Sequence, residues 1–264
     1  LDGFRKECTA TALGRASMTT IPAGFMEYEA LNKAIRDTDD DQITIERATG
    51  QRYIGSALAD KQLFINGTAG NALGCFLDGG TITVHGNGQD ATGDTMNDGK
   101  IIIHGSCGDG TGYAMRGGAI YIRDSSGYRS GIHMKAYQEK QPLLIIGDRA
   151  GSFLGEYQAG GTIIVLGRNQ EGKPPVGYFC GTGMHGGIMY LRCDTLPVSL
   201  PKQVSARDAL DGDKEVLSEL LDEYCAIFSF DKQQLLASHF FILQANSATD
   251  RKSTRLNSSH DQIS

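Results

Sequence analysis

Apolar and polar residues alternate in short runs that return at a fixed interval. Leu63, Ile82, Ile101, Ile120, Leu143 and Ile163 fall in one column of a 19-residue register. Two places on, Ile65, Val84, Ile103, Ile122, Ile145 and Val165 fall in another. Alternation with period two is the signature of a half-buried strand. The same column in every repeat is what stacked strands need, because each repeat buries its face only against its neighbours. Glycines keep the same ruler. Gly67, Gly86 and Gly105 are 19 apart, Gly55, Gly74, Gly93, Gly112 and Gly131 likewise, and after a longer connection the pattern resumes at Gly147, Gly155, Gly167 and Gly181. These twelve glycines are expected at corners, where positive φ or close backbone approach leaves no room for a Cβ. The pattern predicts an all-β fold, a single-stranded right-handed parallel β-helix of about seven coils over residues 42–193.

The flanks read differently. Met26, Leu31, Ala34 and Ile35 lie near helical spacing within 18–41, and Val216, Leu217, Leu220, Leu221, Tyr224, Ile227 and Phe228 form an amphipathic stripe within 194–249. An open stack has apolar ends, so both segments are expected to cap it as α-helices. Residues 1–17 carry no period and precede Met18, a plausible start, so they read as upstream read-through. Residues 250–264, DRKSTRLNSSHDQIS, match one reading frame of a common short-read sequencing adapter and read as an artefact.

Composition narrows the class. Glycine supplies 35 of 264 residues, without the Gly-X-Y triplet of collagen, and 40% hydrophobic content permits a packed core. No run approaches the ~18 apolar residues of a membrane span. A net charge of -6 lacks the basic footprint of a nucleic-acid binder. Cys8, Cys75, Cys107, Cys180, Cys193 and Cys225 are widely spaced with no CxxC, which argues against a zinc knuckle or a bacterial-type iron–sulfur run. Unpaired thiols and no visible signal peptide point to a cytoplasmic protein.

Candidate chemistry is sparse. The fragments Gly86–Gly88, Gly108–Gly110 and Gly181–Gly183 recur on the structural period with no helix after them, unlike a dinucleotide fingerprint. His85 and His104 share a column between Asn66 and Arg123, a polar ladder more readily than a metal site, which needs three or four ligands. Leu77, Met96, Met115 and Met134 share another column and read as core filling. The most charged break in the repeat carries Arg123, Arg129, His133 and Lys135, an edge for anion binding or partner docking if it is more than solvated charge. No catalytic, cofactor-binding or metal-binding residue is assigned.

Several segments together resemble a known family: GQRY (50–53), NDGKI (97–101), GYRSGIHMK (127–135), GSFLGEYQAGG (151–161) and GTGMHGG (181–187). They are similar to the GXGXG domain that closes the large subunit of glutamate synthase, in its stand-alone form. The resemblance covers about residues 18–245. It implies a non-catalytic scaffold subunit of a multi-subunit glutamate synthase, which converts glutamine and 2-oxoglutarate to glutamate. Such a scaffold would organise glutaminase-type and synthase-type partners and border the ammonia route. FMN and iron–sulfur clusters would belong to those partners and none to this chain, with no nucleic acid or membrane among the things it binds. The alternative resemblance is to the GXGXG-patterned scaffold component of formylmethanofuran dehydrogenase, in one-carbon metabolism.

Overall fold

The computed structural model describes residues 18–246 except Val198. The expectations placed on 1–17, Cys8 and 250–264 lie outside the described residues. Strand β1 (Met18–Pro22) and helix α1 (Tyr28–Asp37) precede eight further parallel strands. These are β2 (Gln42–Thr49), β3 (Gln62–Thr68), β4 (Asp78–His85), β5 (Asp98–Ile103), β6 (Ala119–Ile122), β7 (Leu143–Ile146), β8 (Ala159–Val165) and β9 (Gly186–Arg192). Then come β10 (Val204–Asp208), α2 (Asp211–Phe228), α3 (Lys232–Leu236) and β11 (Phe240–Ala245). All strands belong to one 11-stranded sheet in the order β1 to β9, then β11 and β10. The strands from β1 to β9 pair in parallel, whereas β11 runs antiparallel to both β9 and β10.

This architecture corrects the predicted fold class. The expectation was an all-β, single-stranded right-handed parallel β-helix capped by helices. The structure has one mostly parallel sheet with three helices, an α/β-like arrangement. The segments between strands do stack, with Tyr53 N donating to Asn71 O, Ala72 N to Asp90 O and Phe153 N to Tyr178 O. They pass through positive-φ residues such as Tyr53, Ala57, Ala72 and Phe76, however, and so form turns, not additional strands. Nor does α2 cover an end of the stack. Leu217, Leu221, Tyr224, Cys225 and Phe228 pack onto the outer face of the sheet, against Ile102, Tyr121, Ile145, Ile164 and Tyr190. It is β11 that lies beside β9, Ile242 opposite Tyr190.

The second correction concerns register. Four strands keep the 19-residue step, Leu63 against Ile82, Ile101 and Ile120. Across the long connection, Ile120 pairs with Leu144, not Leu143, and Ile122 with Ile146, not Ile145. A shift of one residue moves a side chain to the opposite face. Leu144 and Ile146 accordingly join the main core, with Leu63, Ile82 and Met96, while Ile145 is buried beneath α2. The column of Leu77, Met96, Met115 and Met134 is fully buried. Leu31 and Ile35 of α1 enter the same core beside Ile21.

Ten of the twelve predicted corner glycines have positive φ. The other two, Gly105 and Gly147, are constrained by contact: a Cβ on Gly147 would lie 2.1 Å from Arg123 O.

Candidate functional site

The turns after each strand from β2 to β8 carry two columns of residues held in the left-handed region. One runs Tyr53, Ala72, Ala91, Gly110, Arg129, Phe153, Phe179, and the other Ala57, Phe76, Thr95, Ala114, His133, Tyr157, Gly183. Both are fixed by layer-to-layer hydrogen bonds: Arg129 N donates to Ser152 O at 2.9 Å, His133 N to Glu156 O at 2.9 Å, Tyr157 N to Thr182 O at 2.8 Å. This conformation costs an L-residue about 1–2 kcal/mol. Glycine or alanine meets the geometry at several layers, yet the later layers carry arginine, histidine and aromatics.

Those side chains form a connected, exposed surface. The Phe153 and Phe179 rings stack with centroids 5.1 Å apart, and the Arg129 guanidinium lies 5.3 Å from the Phe153 centroid. Arg129 Nε donates to Glu156 Oε2 at 3.2 Å. His133 stacks on Tyr157 at 5.2 Å and meets Tyr113 edge-on at 5.9 Å. Phe179 is 48% exposed, Tyr157 46%, and the neighbouring Tyr128 and Tyr178 are 56% and 63% exposed. Sequence reading selected Arg129 and His133 by charge and missed the aromatics. The 19-residue step from Gly110 reaches Arg129 but not Phe153 or Phe179, which follow after steps of 24 (129 to 153) and 26 (153 to 179) because longer connections interrupt the repeat.

The four basic residues are not one cluster. Arg129 and His133 share this aromatic edge. Lys135, exposed, leaves it with its N–H bonded to Met115 O. Arg123 instead follows β6 on another corner, where its carbonyl accepts from Arg168 Nη1 at 3.1 Å.

On that corner the His85 and His104 rings lie 4.7 Å apart, and Phe228 meets His104 edge-on at 5.1 Å. Burial holds the His104 imidazole below its ordinary value, with His85 and Arg123 adding repulsion. An apolar ring therefore stands beside His104. Among the described residues no group of three or more His, Cys, Asp or Glu is arranged to hold a metal ion. Cys75, Cys107, Cys180, Cys193 and Cys225 are buried and unpaired with one another. Burial pushes the Cys107 and Cys180 thiols up to about 12 and Cys193 to about 11, which suppresses the reactive thiolate.

α2 is tied to this side of the sheet by polar anchors. The Tyr224 hydroxyl donates to Ile122 O at 3.0 Å, Tyr121 donates to Glu223 at 3.1 Å, and Lys100 pairs with the same carboxylate. The helix stops at Ser229, in the left-handed region, whose N–H bonds Cys225 O. The turn that follows sets Phe230 under Arg168, 3.6 Å from guanidinium carbon to ring centre.

Comparison with known proteins extends these observations. The GXGXG motif family matches residues 30–246. The chain is also 42% identical over 231 residues to uncharacterized protein MJ1350 of Methanocaldococcus jannaschii, an alignment covering 83% of this chain and 88% of that protein. A family match across most of the stacked strands, the long helix and the closing strand, with a relative this similar over nearly its full length, establishes that this chain belongs to the GXGXG motif family.

Proposed function

We propose that this chain is a scaffold subunit of a multi-subunit glutamate synthase that positions glutaminase-type and synthase-type partners without performing their chemistry. FMN and iron–sulfur clusters reside on the synthase-type partner in this reading, and the chain borders the ammonia route between the two. The observation that carries it is the exposed edge of Arg129, His133, Phe153, Tyr157 and Phe179. Each of these residues holds a backbone conformation that glycine meets more cheaply, and the three aromatics and His133 also expose ring surface to water. Strain kept at an exposed apolar surface fits a face that another protein covers. The raised thiol values also suit a scaffold that leaves redox ligation to its partners.

The test is co-purification of the protein from its host, with glutamine-dependent glutamate formation assayed on the eluate. Flavin-containing partners with that activity are expected. A chain that elutes alone, or with molybdopterin-containing partners, overturns the reading.

A further inference from the structure

Two arginines, one just after β8 and one at the end of β9, line the same two cavities. Arg192 closes β9, and its Nη1 donates to Leu166 O at 2.9 Å. Its Nε is buried and has no hydrogen-bond partner among the described residues. Arg168 follows β8, held by its bond to Arg123 O and by the Phe230 ring. Both residues are half-buried. Among the described residues neither lies within 4.0 Å of a carboxylate oxygen, whereas Lys100, Arg129, Lys140, Arg207 and Lys232 all do.

The pair opens into space on both sides. A cavity of about 400 Å³ is lined by Arg168 and Arg192 with Gly172, Ser238 and His239. Another, of about 410 Å³, is lined by the same two arginines with Ser229, Phe230 and Gln234. Each is large enough for a small ligand. Carboxylates are near without an ion pair or hydrogen bond to either arginine: Glu171 and Asp194 also line the first cavity, Asp231 the second, and all three are exposed. Burial depresses the Arg192 guanidinium from its ordinary value, and Arg168 adds to the effect while Asp194 opposes it. A partly desolvated cation with an unused N–H is costly unless something pairs it.

We propose that Arg168 and Arg192 form a binding site for a small oxyanion, a carboxylate or phosphate group, with Arg192 Nε as one donor. The planar guanidinium presents donors at the spacing of carboxylate and phosphate oxygens, and Phe230 fixes the plane of Arg168 before a ligand arrives. An anion here relieves the repulsion between the two cations and satisfies the buried donor. The site is independent of the partner reading above, because it needs only this chain.

Calorimetric titration of the full chain in chloride buffer tests it, with inorganic phosphate and succinate as separate probes. Saturable binding of at least one is expected. Arg192→Gln and Arg168→Gln should each weaken it about tenfold or more, the scale of one lost charged hydrogen bond. The exposed Arg149→Gln should leave it unchanged. If Arg192→Gln disturbs folding by circular dichroism, Arg168→Gln decides, since its side chain lies outside the fully buried core. A preference for phosphate identifies a phosphorylated ligand, and a preference for succinate a carboxylate. No saturable response to either anion, or variants that bind as tightly as the wild type, overturns the proposal.

Discussion

Gly147 separates the two reasons for a glycine at a corner. Its backbone is not in the left-handed region, yet a Cβ would sit 2.1 Å from Arg123 O and 2.5 Å from the Tyr224 hydroxyl. Gly147→Ala is therefore expected to destabilise by about 1–3 kcal/mol in urea unfolding, with the backbone carbonyl unable to yield. The opposite case is Phe179, at φ 60, where glycine relieves strain and only exposed ring contacts are lost. Asp213 offers a residue-level pH test. Its carboxylate accepts from Arg207 Nη1 and Nη2 at 2.6 and 2.8 Å and from Leu210 N at 2.8 Å, fastening the start of α2. The Arg207 hydrogen bonds first, then Leu210 N, hold it down at about 2. Because the folded value is lowered, the tie is fully present above the ordinary value near ~4 and is lost as pH falls toward the folded one. Asp213→Asn should cost less than about 1 kcal/mol at pH 7, as a solvent-screened pair does, and nothing at pH values below both. Urea curves at the two pH values check this.

Among the elements, the long connection before β7 is where periodicity alone loses the register. Its inserted residues make the step from Ile120 to Leu144, and a ruler placed on Leu143 reverses the faces of the whole strand. The run Leu143-Leu144-Ile145-Ile146 is apolar on both faces, so no polar residue marks which side is inward. The run Ile101-Ile102-Ile103 in β5 is apolar on both faces too, but there the unbroken 19-residue step keeps Ile101 and Ile103 in the core columns while α2 lies over Ile102. Apolar residues on both faces of parallel strands are the sign of a sheet covered on both sides, and α2 supplies that second cover. Its attachment rests on Tyr224, fully buried and bonded to Ile122 O. Ile122 O also accepts from Gly147 N, so Tyr224→Phe removes one of its two donors and should cost about 0.5–1.5 kcal/mol in chemical unfolding, with β1 to β4 unaffected in hydrogen exchange. Equal loss of protection in β2 and β6 would mean that the sheet opens as one unit and not from the α2 side.

For the molecule as a whole, the exposed aromatic edge is the feature that isolated stability does not require. Phe179→Gly combined with Phe153→Gly should lower thermal stability by no more than about 1 kcal/mol, since left-handed strain of ~1–2 kcal/mol per residue is released as ring packing is lost. The same variant should lose partner co-purification from its host. Unchanged recovery of partners with this variant would place docking elsewhere. The sequence by itself determined the stacking step, because identical apolar columns at 19 residues permit only like-on-like pairing from β3 to β6, and it placed glycines where backbone approaches backbone. It also determined the family, since the motifs in the turns are local. Tertiary structure alone decided where α2 rests, because an amphipathic stripe specifies that a face is buried and not against what. It decided the register beyond the inserted connection, where both faces are apolar. It also brought Arg168, Arg192 and Phe230 together from three separate segments, a proximity that no spacing along the chain encodes.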